Sequence, residues 1–123
     1  GGGKLLLYHG WNDPGIPPAA TVAYYERVLE ASGADARGSA RLFMVPGMNH
    51  CRGGVGTDEF DAVAALDRWV VADRAPERIA AARRSDGQIV RTRPLCPYRE
   101  VAVHDGRGSI DRADSFRCAA PRY

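Results

Sequence analysis

Apolar residues fall along the chain in two kinds of run. "KLLLYHG" (Lys4 to Gly10) and "RLFMVPG" (Arg41 to Gly47) are short, nearly continuous and ended by glycine. That pattern predicts strands buried on both faces of a parallel sheet. Between them, "AATVAYYERVLEAS" places Val22, Tyr25, Val28 and Leu29 on one face of a helix. Pro17 and Pro18 suit its first turn, where a missing N–H costs little, and Gly33 suits its end. After the second strand, Thr57 is the expected cap of a second helix, with Asp58 and Glu59 near its positive end. Phe60, Val63, Ala64, Asp67 and Val70 follow at nearly helical spacing, and Leu66 with Trp69 widens the stripe. Beyond Pro76, "PERIAAARR" reads as one more short helical turn.

The order strand–helix–strand–helix predicts an α/β sheet joined by right-handed crossovers. After Arg84 the character changes. Two short β-like runs, Gln88 to Arg93 and Glu100 to His104, precede a glycine-rich turn and one short helix. The expected organisation is therefore a core over residues 1–84 and an irregular C-terminal appendage of the same domain over 85–123. Two strands and two helices cannot bury both faces of a sheet unaided. Either neighbouring strands come from another part of a longer polypeptide, or two copies pair as a homodimer. The opening "GGGKLLLYHGW" enters a buried-type strand at once, as expected of the end of something longer.

Composition narrows the function classes. Seventeen basic residues against fifteen acidic ones leave a formal charge of +2, with the two signs intermixed. Neither a nucleic-acid stripe nor a polybasic membrane anchor is indicated. No apolar run approaches the ~20 residues that a membrane-spanning helix needs. The three cysteines, Cys51, Cys96 and Cys118, lack the CxxC spacing of zinc or thioredoxin-like sites. In an oxidising compartment the simplest account is one disulfide and a leftover thiol seeking a partner outside the chain. Three reduced cysteines in a cytosolic protein are the other account. Cys96 and Cys118 bracket the appendage, and closing that loop would stabilise the fold by roughly 3 kcal/mol in the chain-entropy model.

Open α/β sheets gather reactive groups at the carboxyl ends of their strands. Asp13 follows the first strand and His50 follows the second, so loops after adjacent strands carry a carboxylate and an imidazole. Asp13 could accept a hydrogen bond from the His50 ring, fix its tautomer and stabilise an imidazolium. The other ring nitrogen would then take a proton from a nucleophile. Acid followed by histidine near the C-terminus is the order of α/β-hydrolases, whose serine comes earlier in the chain. A metal site built from His9, Asp13 and His50 is the alternative use of the same groups.

"HGWNDPGIPPAATVAYYERV" followed by "RLFMVPGMNHCRGG" resembles the C-terminal part of the tannase and feruloyl esterase family. The likeness continues through "RPLCPY" and "GRGSIDRADSFRC", so it covers nearly the whole chain. It implies the C-terminal part of an α/β-hydrolase sheet with a disulfide-closed appendage. It also implies a serine carboxylesterase acting on aromatic-acid esters, with Asp13 as the triad acid and His50 as the base. By the same resemblance Cys96 pairs with Cys118, and Cys51 pairs with a cysteine that directly precedes the nucleophilic serine upstream of residue 1. The serine, the oxyanion-hole loop and the lid are absent from the chain, so the chain alone is expected to be inactive. No cofactor enters the implied chemistry, and a structural calcium is expected only in the lid. The lid would also select among gallate, ferulate, chlorogenate and terephthalate esters. Secretion or a periplasmic location follows from the disulfides. Arg99 stands where the family commonly has a second proline after "CPY". The competing expectation is a non-catalytic α/β module that dimerises or binds a partner.

The other conspicuous residues have blander roles. His9 is expected to make a structural hydrogen bond, His104 to be solvated or locally bonded, and Trp11 to pack its loop. Met44 and Met48 read as core and loop packing, and Tyr24 and Tyr25 as helix residues packed on the sheet. Ser32, Ser39, Ser85, Ser109 and Ser115 are set aside as nucleophiles, because none follows a strand on a G-x-S-x-G turn.

Overall fold

The computed structural model describes residues 2–122. Its centre is a parallel pair, β1 (Leu5–Gly10) and β2 (Ala40–Val45), in register from Leu5 opposite Ala40 to Gly10 opposite Val45. Helix α1 (Pro18–Ser32) makes the crossover between them. Pro18 occupies its first turn, and Gly33, at φ 76°, closes it with an N–H donated to the Leu29 carbonyl. A side chain in that left-handed region would be strained, which is why glycine ends the helix here.

Strand β2 is buried on both faces, as its unbroken apolar run requires. Ala40, Leu42 and Met44 pack with Tyr25 of α1, and Leu5, Leu7, Val22, Val28 and Leu29 complete that layer. Phe43 and Val45 point into a second cluster with Met48, Ala65, Ile79, Ala81 and Leu95. The helical face expected over Val22, Tyr25, Val28 and Leu29 is therefore the one that packs. Tyr24 is not part of it: neighbouring Tyr25 on the helix takes the buried position and leaves Tyr24 exposed.

Two expectations for the second half fail. Helix α2 spans Ala62–Ala72, not a stretch capped by Thr57; its cap is Asp61, whose carboxylate accepts the Ala64 N–H at 2.8 Å. Thr57 is buried, and Glu59 instead exchanges two backbone hydrogen bonds with Ala82. The buried face of α2 consists of Ala65 and Trp69, while Val63 and Val70 lie exposed. The segment read as a helical turn in "PERIAAARR" is strand β3 (Ile79–Ser85), paired antiparallel with β4 (Gln88–Leu95). Buried Ile79 and Ala81 alternate with exposed Ala80, and pairing with β4 overrides the helical preference of alanine.

The hairpin β3–β4 spans position 84 and so links the core to the appendage. The last segment is more regular than expected. Strands β5 (Val101–His104) and β6 (Phe116–Ala119) form an antiparallel ladder, preceded on the β6 side by a 3-10 turn over Ala113–Ser115. A disulfide between Cys96 and Cys118 ties the end of β4 to β6. Pro97 and Tyr98 cover the outer edge of β2, with the Tyr98 N–H donated to the Leu42 carbonyl at 2.7 Å. Among the described residues no strand pairs with the other edge of β1, and no helix is long and apolar enough to cross a membrane. Arg99 forms an exposed ion pair with Glu26 of α1.

Candidate active site

The parallel register brings the ends of β1 and β2 level, so the two loops beyond them run side by side. Trp11 donates its N–H to Val45 and Asn12 donates to Met48, each at 3.0 Å. This close approach explains Gly10: a Cβ there would stand 2.2 Å from the Met48 carbonyl oxygen and 2.6 Å from that of Asn49. The histidine loop is itself drawn tight. Asn49 donates to Gly53 at 3.1 Å, Gly56 donates to Gly47 at 3.1 Å, and fully buried Met48 anchors the loop in the core. From β3, the Arg83 guanidinium donates to the Gly54 carbonyl and holds the far side of the loop.

On this scaffold Asp13 and His50 meet. His50 Nδ1 lies 2.8 Å from Asp13 Oδ2, across a sequence separation of 37 residues. The Asp13 side chain is only 2% exposed, whereas that of His50 is 59% exposed. The remaining oxygen of Asp13, Oδ1, accepts the N–H groups of Gly15 at 2.8 Å and Ile16 at 3.0 Å. Burial by itself raises the Asp13 pKa. The hydrogen bonds from Ile16, His50, Gly15 and His9 outweigh that effect and hold the carboxyl well below the usual carboxylate range. Asp13 is therefore an anion and accepts all four bonds. His50 must carry its proton on Nδ1, which leaves Nε2 as the basic, outward-facing nitrogen.

His9 makes the structural hydrogen bond expected of it, and its partner is Asp13: Nε2 lies 2.8 Å from the same Oδ2, and Nδ1 lies 2.7 Å from Thr21 Oγ1 on α1. Sequence reasoning misses Thr21, since its role rests on a tertiary contact between a strand end and the first turns of a helix. Cys51 follows His50 with a free, exposed thiol and a left-handed φ of 64°. Trp11 is nearly half exposed beside the loop rather than packed within it. His104 bonds locally, its Nδ1 accepting the Gly106 N–H at 3.1 Å, and its ring meets Phe116 edge to face.

The cleft at the dyad holds about 90 Å³, lined by Tyr8, His9, Gly10, Met48, His50 and Cys51 around Asp13. Among the described residues no serine lines it. A pocket for a small organic ligand needs roughly 300 Å³ or more, so this cleft by itself is too small to enclose one. A hollow of about 1280 Å³ opens elsewhere, between β2 and the disulfide-bonded ladder, but includes neither Asp13 nor His50. Size alone does not make it the reactive site: among the described residues no histidine lines it.

Comparison with known proteins places this geometry in context. The family described as tannase and feruloyl esterase matches residues 1–119. Mono(2-hydroxyethyl) terephthalate hydrolase of Piscinibacter sakaiensis is 49% identical over 98% of the chain, which corresponds to 20% of that enzyme. Feruloyl esterase B of Aspergillus niger is 30% identical over 95% of the chain and 26% of its own length. The crystal structure of an esterase from Aspergillus oryzae superposes with a TM-score of 0.83 at 30% identity, covering 95% of this chain and 27% of that one. The chain thus spans about a fifth to a quarter of the relatives it matches. On the match to residues 1–119, the chain belongs to the tannase and feruloyl esterase family.

Proposed function

We propose that this chain supplies the acid and the base of a Ser-His-Asp triad in a carboxylic ester hydrolase acting on aromatic-acid esters. The serine comes from a part of the enzyme outside residues 1–123. The observation that carries this reading is the buried, ionised Asp13 bonded to Nδ1 of a half-exposed His50. Nε2 of His50 accepts the proton of the serine hydroxyl as its oxygen attacks the ester carbonyl. The resulting imidazolium, stabilised by Asp13, then protonates the leaving alcohol. Water, deprotonated by the same nitrogen, clears the acyl-enzyme.

Several further features support the reading. The small cleft and the unpaired edge of β1 both fit a chain whose neighbours in the α/β-hydrolase sheet, together with an oxyanion hole and a lid, come from elsewhere. Exposed Cys51, next to the base, suits a disulfide to the nucleophile's turn, which would keep base and serine within reach. Relatives named for feruloyl and terephthalate esters support an aromatic acyl group. The Cys96–Cys118 disulfide supports a secreted or periplasmic enzyme. A structural calcium would belong to the lid, and no residue here is assigned to it.

The test is ester hydrolysis by a polypeptide that contains both this chain and the serine. His50→Ala should remove most activity, and Asp13→Asn should lower kcat by about 10⁴. Near-normal rates in either variant contradict the triad and favour a non-catalytic α/β module.

A further inference from the structure

We propose that His9 and Thr21 form a positioning clamp that fixes the Asp13 carboxylate for His50. This inference rests on the reading of Asp13 and His50 as an acid–base pair. Asp13 Oδ2 accepts from two imidazoles at once, His9 Nε2 and His50 Nδ1, each at 2.8 Å. The loop that carries Asp13 and the loop that carries His50 both lie outside regular elements, whereas His9 belongs to β1 and Thr21 to α1. The clamp therefore ties a loop carboxylate to the two regular elements nearest it. With Gly15 and Ile16 on Oδ1, all four bonds fix the rotation of the carboxyl group, and Oδ2 stays aligned with His50.

The protons follow from the anion. Because Asp13 only accepts, His9 must carry a proton on Nε2. Assigned as the donor to the remaining lone pair, the Thr21 hydroxyl, 2.7 Å from Nδ1, selects the Nε2–H tautomer. A neutral donor orders the carboxylate without adding a second cation. The full negative charge remains available to the His50 imidazolium that forms during turnover. The His9 side chain is 11% exposed, so water competes little for its Nε2–H.

The test uses the ester-hydrolysing polypeptide that contains this chain, labelled with ¹⁵N in histidine. In the wild type, His9 should show the Nε2–H tautomer, and His50 a downfield Nδ1–H resonance. Thr21→Val should free the His9 ring to rotate, weaken that resonance and lower kcat about tenfold with KM unchanged, and Thr21→Ser should restore both the resonance and kcat. His9→Leu should lower kcat on the order of 100-fold, as a loosened reactive geometry does. His9→Gln, which keeps an N–H donor, should stay within a few-fold of wild type. Unchanged melting temperatures for the Thr21 pair exclude a folding effect. A His9 proton on Nδ1, or a Thr21→Val variant with wild-type kcat and spectrum, overturns the clamp. If His50→Ala still abolishes turnover in that case, the acid–base pair survives without the clamp. If His50→Ala is silent as well, the pair itself is wrong.

Discussion

Replacing Gly10 by alanine should damage both stability and chemistry, by amounts the geometry sets. The added Cβ would sit 2.2 Å from the Met48 carbonyl oxygen, 2.7 Å from the Met48 carbonyl carbon and 2.6 Å from the Asn49 oxygen. All three are backbone atoms, so no side chain can swing aside. Ordinary contact lies beyond about 3.4 Å, so the histidine loop must withdraw by roughly 1 Å. Buried Met48 and the Asn12–Met48 hydrogen bond oppose that shift. Overpacking of this kind costs about 1–3 kcal/mol. At about 2.1 cal/mol/K per residue of unfolding entropy, a chain of this size loses roughly 4 °C in Tm for each kcal/mol. A fall of about 4–12 °C is expected by calorimetry. His50 moves with the loop, away from Asp13 and from a nucleophile, and a 1 Å misplacement costs on the order of 100-fold in kcat. Gly15→Ala is the control, since its Cβ meets only Asp13 Oδ1, at 3.6 Å. A Gly10→Ala variant with wild-type Tm and kcat would refute the argument that the two loops are pressed together to build the site.

Two further predictions concern stability. Cys96 and Cys118 are 22 residues apart, so converting both to serine should cost about 3 kcal/mol by loop-closure entropy and lower Tm by roughly 12 °C. A shift under about 3 °C contradicts that account. For pH, the Asp13 carboxyl is depressed in the folded state below its ordinary value of 3.8. A depressed acid stabilises the fold above its unfolded pKa and ceases to do so as pH falls through the folded value. Urea midpoints should therefore fall more steeply between about pH 5 and pH 2 in the wild type than in Asp13→Asn. Parallel profiles would show that the four hydrogen bonds do not act on the anion.

Legibility in the sequence tracks the range of the forces involved. Strand β2 is legible because burial on both faces demands an unbroken apolar run; β1 shows the same run, but here Leu5 to Leu7 are only half-buried and Tyr8 is exposed. Helix α1 is legible because its face repeats at helical spacing. Asp13 and His50 follow from those strands: once two parallel neighbours are given, the residues just past their ends share one edge of the sheet. Strand β3 is not legible. "RIAAARR" has helix-favouring alanines and no alternation until its pairing with β4 buries Ile79 and Ala81 and leaves Ala80 outside. The start of α2 fails for a similar reason, since Thr57 through Glu59 look like a helix cap but run beside β3. Phe60 belongs with them rather than with the helix: its ring meets Tyr8 edge to face, centroids 5.0 Å apart, just before α2 begins. The double load on Asp13 Oδ2 is likewise hidden, because it depends on Thr21 reaching His9 across the crossover.

The central claim is that this chain carries one half of an active site, and fluorophosphonate labelling tests it most directly. The probe is applied to the chain alone, to the serine-bearing remainder alone, and to the two together, with His50→Ala in parallel. The account predicts no labelling of the 123-residue chain under any condition. It predicts rapid labelling of the remainder only when wild-type chain is present, and little with His50→Ala. Labelling of the chain itself, or equal labelling of the remainder with and without His50, would contradict it.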